Sequence, residues 1–184
     1  MRHGSRFMAI LFMLLPLCNL YSQGKDARED NTLRIMSYNI RNGRGMDDAA
    51  NYQRTADVIN KACPDLVAVQ EIDSVTGRSG GKDVLRELAG LTFMHYVYAP
   101  AIDYDGGKYG IGMLSKEKPL GYRYLPLPGR EEARALLVVE FERYIYCCTH
   151  LSLTEEDRML SLPIIKQVAA SANKPFFIAG DMNA

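Results

Sequence analysis

This chain carries no excess of positive or negative charge. Its 22 basic and 22 acidic side chains cancel, so no long-range field draws it toward nucleic acid or an anionic membrane, although the balance leaves room for a locally basic groove. No run of Lys or Arg is present either, which argues against a processive nucleic-acid binder. Internal repeats and low-complexity tracts are absent, and at 47% hydrophobic and 24% charged residues the composition is that of an ordinary globular protein. A length of 184 residues suits one domain and is short for two. Cysteine is sparse, and the spacing of Cys18, Cys63, Cys147 and Cys148 matches no zinc site. Adjacent cysteines on a strand point to opposite faces, so Cys147 and Cys148 are poorly placed to pair, and buried free thiols are expected.

The longest apolar run, Phe7–Leu17, is interrupted by Pro16 and too short to span a bilayer. With Arg2 and Arg6 before it and Asn19, Ser22 and Gln23 after it, residues 1–22 read as a secretory signal peptide. The protein is thus expected to be exported, periplasmic or extracellular, with no integral span after cleavage. Lipid anchoring through Cys18 is disfavoured, because Leu17 stands where a small residue is wanted. Loss of Arg2 and Arg6 leaves 20 basic against 22 acidic residues. Residues 23–32 form a polar linker, and 33–184 the folded domain, expected to be a monomer.

Within that domain Leu33–Ile40 is β-rich and apolar, and the Asn42–Gly45 stretch breaks it. Tyr52, Ala56, Ile59 and Cys63 recur at helical spacing, and Pro64 closes that helix. Leu66–Gln70 reads as a buried strand, Ser74–Gly81 as a glycine-bearing loop, and Lys82–Ala89 as a short amphipathic helix. Strands follow at Phe93–Tyr98, Gly110–Ser115, Ala133–Phe141 and Arg143–Thr149, the last two as a hairpin around Glu142. Thr154 with Asp157 marks a helix start, the helix running to about Ala172 with a kink at Pro163. Phe176–Ala179 is a final buried strand. Helices interleave with strands, several of them joined directly, so the expected fold is α/β (α+β), a sandwich of two mixed sheets flanked by helices.

Polar residues stand at the C-terminal ends of four of these strands: Asn39, Glu71, His150, and Asp181 with Asn183. If the strands lie side by side, these groups converge at one edge. Glu71 and Asp181 supply the oxygen donors that a hard divalent cation takes, and magnesium commonly keeps several waters beside one or two carboxylates. Arg41 is placed to reach a phosphate bidentately, Arg134 opens a strand, Arg158 lies on the helix after His150, and Tyr109 precedes a glycine-flanked Ile111. His95, among aromatics, reads as structural.

The segments Ser37-Tyr38-Asn39-Ile40-Arg41, Asp65-Leu66-Val67-Ala68-Val69-Gln70-Glu71, Thr149-His150-Leu151 and Gly180-Asp181-Met182-Asn183 occur in this order. Together they resemble the endonuclease/exonuclease/phosphatase superfamily, over roughly Leu33 to Ala184. The resemblance implies a four-layer, deoxyribonuclease-like sandwich and a Mg²⁺- or Mn²⁺-dependent hydrolase of phosphodiester or phosphomonoester bonds. Glu71 would bind the metal with Asn39 beside it. His150 would hydrogen-bond a phosphate oxygen, Asp181 would orient or deprotonate the attacking water, and Asn183 would hold phosphate or water. Arg41, Arg134 and Tyr109 would be substrate-binding. Such a set suits in-line attack on phosphorus.

Members of that superfamily continue past the equivalent of Asn183 and end in an Asp-His pair, so the chain is expected to lack its C-terminal part and some of the catalytic site. Substrate stays undecided among nucleic acid, phospholipid and sugar phosphate, since one fold serves all three. A non-catalytic module that binds phosphate-bearing ligands or a partner chain stays open beside the enzyme.

Overall fold

Eight strands and three helices build the domain. In the computed structural model residues 32–184 are described, and residues 33–184 make one compact unit. The signal peptide, Cys18 and all but the end of the linker lie outside the described residues.

Strand β1 (Ile35–Asn39) is followed by a single 3-10 turn at Arg41–Gly43 and by helix α1 (Tyr52–Ala62). Asn51 caps α1 by accepting the Arg54 N–H, 2.9 Å away, and Cys63 ends it in the left-handed conformation with φ 47°. Strand β2 (Leu66–Ser74) is buried on both faces at its start, and α2 (Val84–Thr92) follows with Asp83 as its cap. Strands β3 (His95–Tyr104) and β4 (Gly107–Ser115) form a hairpin longer than expected. Its two turn residues, Asp105 and Gly106, have φ of 46° and 79°, the Asp-Gly turn whose twist suits a hairpin.

Strand β5 (Gly121–Leu127) was not expected. It is an edge strand carrying exposed Tyr122 and Tyr124 and tolerating Pro126, which hides its signal. Strands β6 (Arg134–Glu140) and β7 (Ile145–His150), then α3 (Glu155–Ala170) and β8 (Phe176–Asp181), complete the chain. Helix α3 begins where expected, but Thr154 makes no side-chain cap. Its backbone N–H donates instead to Ser152 Oγ at 3.0 Å, and Glu155, Glu156 and Asp157 complement the positive helix end. The helix continues through Pro163.

The strands form two mixed four-stranded sheets, ordered β1-β2-β4-β3 and β5-β6-β7-β8. In each, one edge strand pairs in parallel, β1 with β2 and β7 with β8, and the other pairings are antiparallel. Leu66, Ala68, Val97 and Met113 of the first sheet pack against Leu137, Val139, Tyr146 and Cys148 of the second. The first sheet's outer face is covered by α1 and α2, through Ala56, Ile59, Leu85 and Leu88, and α3 covers the second through Val168. The layers are therefore helix, sheet, sheet, helix, as the α/β sandwich expectation requires. Edge strands β1 and β8 touch across the sandwich, so the C-terminal ends of both parallel pairs meet.

Cys147 and Cys148 are free thiols. Burial pushes Cys147 and Cys148 up to about 12, which keeps them protonated and inert.

Leu137 is wholly buried between the sheets. Leu137→Ala is expected to cost about 2–5 kcal/mol, read as a lowered urea midpoint at constant slope; an unmoved midpoint would refute its place in the core.

Candidate active site

Alternation along the strands decides which side chains reach the meeting point. Ile35, Cys148 and Ala179 contribute to the core between the sheets, so Asn39, His150 and Asp181, each an even number of residues further on, face the same interior at its open end. Glu71 breaks this rule. Two residues before it, Val69 packs toward the helices, and regular alternation would send Glu71 there too. A register shift between Val69 and Ile72 and a left-handed φ of 59° at Glu71 turn it back toward the site. Strand β2 thus does not end at Gln70, as expected, but carries a bulge there and runs on to Ser74.

Asn39 joins these groups. Its Nδ2 donates to Glu71 Oε1 at 2.8 Å and to Asp181 Oδ2 at 3.1 Å, while its Oδ1 accepts the Arg41 N–H at 3.1 Å. The nitrogen therefore faces both carboxylates, so Asn39 clamps them together and does not offer its oxygen as a ligand beside Glu71. His150 pairs with Asp181 in the parallel register, its Nε2 3.8 Å from Asp181 Oδ2. Asn183, with φ 49°, donates its backbone N–H to Asp181 Oδ1 at 3.1 Å and its Nδ2 to Leu151 O at 2.8 Å.

Behind His150 lies a charged layer. Arg134 Nη1 is 3.4 Å from His150 Nδ1 and 3.0 Å from Glu132 Oε1, and its Nη2 is 3.1 Å from Glu131 Oε1. Arg134 is buried with its Nε unpartnered, so it orients His150 from behind and does not present an open phosphate grip, as expected of it. Glu131 in turn accepts Ser152 Oγ at 2.7 Å and the Leu153 N–H at 2.7 Å, pinning the loop after β7. Arg158 closes that loop through Nη1 to Leu153 O at 2.7 Å. Arg41 is exposed and ion-paired with Asp48 at 3.2 Å. Tyr109 lines a cavity of about 10 Å³ with Glu132, Arg134 and His150, room for one water at most. His95 is exposed and opens β3, at the end of the sheet remote from these groups.

Titration behaviour follows from this crowding. Burial lowers the His150 pKa, and the adjacent Arg134 charge lowers it further, against the opposing pull of Asp181 and Glu71. Burial pushes the Asp181 carboxyl up, but hydrogen bonds from Asn39 and the Asn183 N–H, with His150 and Arg134, outweigh it and the net shift is down. Glu132 is raised, first by burial and then, against Arg134, by the charges of Glu71 and Glu131. Tyr109 is raised by burial and by Glu71 and Glu132.

The sequence model of the endonuclease/exonuclease/phosphatase family matches residues 36–184. The chain belongs to this family. Among curated proteins there is no significant match. An endonuclease/exonuclease/phosphatase from Beutenbergia cavernae superposes with TM-score 0.67 at 24% identity, over 82% of this chain and 47% of its own. A mannosyl-6-phosphatase from Bacteroides thetaiotaomicron gives TM-score 0.59 at 17% identity, over 83% and 66%. A truncated Caenorhabditis elegans TDP2 gives 0.61 at 18%, over 83% and 62%. These likenesses establish the fold. The chain spans about half the length of the first of these structures and about two thirds of the others.

Members of the endonuclease/exonuclease/phosphatase family are generally phosphoesterases that depend on a divalent metal. Among the described residues no group of three or more His, Cys, Asp or Glu side chains is placed to hold an ion. The donor set still fits such a cation, because magnesium needs only one or two carboxylates beside water and substrate oxygens. Glu71 and Asp181 meet at the Asn39 amide, which places two carboxylates side by side.

The sequence singled out the groups at the strand ends and missed Glu131, Glu132 and Ser152. The acidic pair before Arg134 was a signal, since two carboxylates opening a buried strand need a cation.

Hydrogen bonds from Ser152 above all, then from the Leu153 N–H and Arg134, hold Glu131 at about 2, below its ordinary 4.5. With the folded value the lower, this stabilisation is complete above pH 4.5 and is lost as pH falls from there through about 2. Glu131→Gln is expected to flatten the fall of melting temperature across that window; parallel acid limbs for the two proteins would contradict the anchor.

Proposed function

We propose that the protein hydrolyses phosphate esters with the help of Mg²⁺ or Mn²⁺. The observation that carries this reading is the Asn39 amide joining Glu71 to Asp181, with His150 3.8 Å from the same Asp181 oxygen.

Glu71 would hold the cation, which when bound supplies a positive charge that neutralises charge developing on the phosphoryl oxygens. The other roles belong to the chain's own groups. Arg134 Nη1 is a donor, so His150 Nδ1 accepts from it and the imidazole proton sits on Nε2, on the Asp181 side. Burial keeps that ring neutral near pH 7, and Nε2–H then donates to a phosphoryl oxygen. Asp181, ionised and oriented by Asn39 and the Asn183 N–H, aligns the attacking water and accepts its proton. Asn183 has committed Nδ2 to Leu151 O, which leaves its amide oxygen to take a hydrogen bond from that water. Arg41, exposed at the rim, meets the substrate phosphate when it leaves Asp48.

The name of one similar structure, a mannosyl-6-phosphatase, supports including phosphomonoesters among the substrates. The Arg2 and Arg6 start and the Phe7–Leu17 run support export, and the near-neutral charge supports a small or weakly charged substrate over a long nucleic acid.

Assay of p-nitrophenyl phosphate and bis(p-nitrophenyl) phosphate with Mn²⁺ tests the reaction. Hydrolysis of one or both is expected, abolished by EDTA and reduced about 10²–10⁴-fold by Asp181→Asn, the usual worth of acid–base help. Activity indifferent to the chelator would sink the metal-assisted mechanism. No turnover beside measurable Mn²⁺ and phosphate binding would favour the non-catalytic module. Mass spectrometry of exported protein is expected to place the mature N-terminus near Gln23, and an intact Met1 on that material would refute the signal.

A further inference from the structure

Arg78 lies in the loop after β2 and reaches four separate segments. Its Nε and Nη2 form a fork with Asp73, at 2.7 and 2.8 Å, and Asp73 is 1% exposed. Nη2 also donates to Asn42 Oδ1 at 2.9 Å, and Nη1 to the Tyr104 hydroxyl at 3.2 Å. The guanidinium sits over the Tyr104 ring at 4.2 Å and near that of Tyr109 at 5.3 Å. The backbone beneath it is fixed as well. Arg78 N–H donates to Asp105 Oδ2 at 2.6 Å and Gly77 N–H to Asp105 O at 2.8 Å.

A counterion for a buried carboxylate is the plain role for such an arginine. Two features go beyond it. Asn42 and Arg41 adopt left-handed φ of 55° and 47°, conformations that non-glycine residues keep only when their surroundings hold them. The Arg41 N–H is the group that orients the Asn39 amide, so whatever holds this turn sets the direction in which Asn39 faces Glu71 and Asp181. On its other side Arg78 grips Asp73, two residues after the bulged Glu71. With its fork spent on Asp73 and Asn42, Arg78 is not itself a substrate contact.

We infer that Arg78 is a positioning residue of the candidate site, a clamp between the turn after β1 and the bulge of β2 that holds Asn39 and Glu71 in the arrangement needed for the cation. This rests on the metal-assisted reading above. Lysine cannot replace it, since one ammonium cannot span both acceptors as the planar fork does.

Mn²⁺ titration followed by electron paramagnetic resonance tests the clamp without turnover. Arg78→Lys and Asn42→Ala are each expected to weaken binding about tenfold, the lower end of the loss seen when partners behind a metal ligand are removed. The double variant should be no weaker than Arg78→Lys alone, because Asn42 acts through its contact with Arg78. Asn42→Ala leaves the Arg78–Asp73 pair intact, and Asn42→Gly, which keeps the left-handed turn without strain, should melt like the wild type while both bind Mn²⁺ more weakly, a split that a merely structural role would not give. If Arg78→Lys fails to fold, Asn42→Ala alone decides. Wild-type affinity in Asn42→Ala, or multiplying losses in the double variant, would overturn the clamp. Glu71→Gln separates the two levels. If it loses binding while Asn42→Ala does not, the clamp alone falls; if the wild type binds no Mn²⁺, the reading of Glu71 falls and the clamp with it.

Discussion

One amide nitrogen, Nδ2 of Asn39, is shared between carboxylates that belong to different sheets. Glu71 comes from the first sheet and Asp181 from the second, at 2.8 and 3.1 Å. Hydrogen bonds to charged groups contribute about 1.5–3 kcal/mol each, but a bond of that length tolerates little sliding of one sheet over the other. The packing of Leu66, Ala68 and Met113 against Leu137, Val139 and Tyr146 therefore fixes the geometry of the site as well as the stability of the domain. Close-packed interiors transmit such displacements because they have little free volume in which to absorb them. The contact of β1 with β8 places this shared nitrogen at the only kind of position where both parallel pairs can reach it, the joint end of their strands.

Around that nitrogen the cationic side chains are committed to carboxylates of the scaffold. Arg134 is occupied by Glu131 and Glu132, Arg78 by Asp73, and Arg130 by Asp157 at 3.1 Å. Each of these carboxylates lies in or beside a connecting loop, so the ion pairs hold loops onto strand ends and leave Glu71 and Asp181 without a guanidinium of their own among the described residues. The outcome is a locally negative centre in a chain whose overall charge is balanced. Composition alone hides such a centre, since pairing is a property of position and not of counts.

Much of this was legible because strand ends are marked in sequence. An apolar β-rich run that stops at Asn39, His150 or Asp181 carries both the strand and the polar group that closes it, and the parallel pairings then bring the closings together. Glu71 was legible as a residue but not as a geometry. It follows Gln70 in the run as a strand end would, whereas its strand continues through a bulge to Ser74. A bulge adds one residue without altering composition, so period-two reading cannot see it. Strand β5 escaped for a similar reason, its Pro126 and exposed tyrosines marking an edge that propensity counts against. Arg78 left no trace, because it sits in a glycine-bearing loop and its partners Asn42, Asp73 and Tyr104 are distant or unpatterned in sequence. The roles of Arg134 and Asn39 shifted once orientation was known: the first is buried behind His150, and the second turns its nitrogen, not its oxygen, to the carboxylates.

Backbone strain gathers where these groups meet. Arg41, Asn42, Glu71, Val75 and Asn183 all have positive φ without being glycine. Cys63 and Phe93, by contrast, end helices, and Asp105 turns a hairpin, where the left-handed conformation is ordinary. Val75 is β-branched, which makes its φ of 60° especially unfavourable. Conformations of this kind cost on the order of 1–3 kcal/mol each and persist only when neighbouring contacts over-determine them. Here the neighbours can be named. The Val75 N–H donates to Lys82 O at 2.9 Å, Asn42 is held by Arg78, and Asn183 by Leu151 O and Asp181. Loss of these contacts at Asn42 or Asn183 would let the backbone relax and disturb the groups on Asn39 and Asp181 that meet at the shared nitrogen.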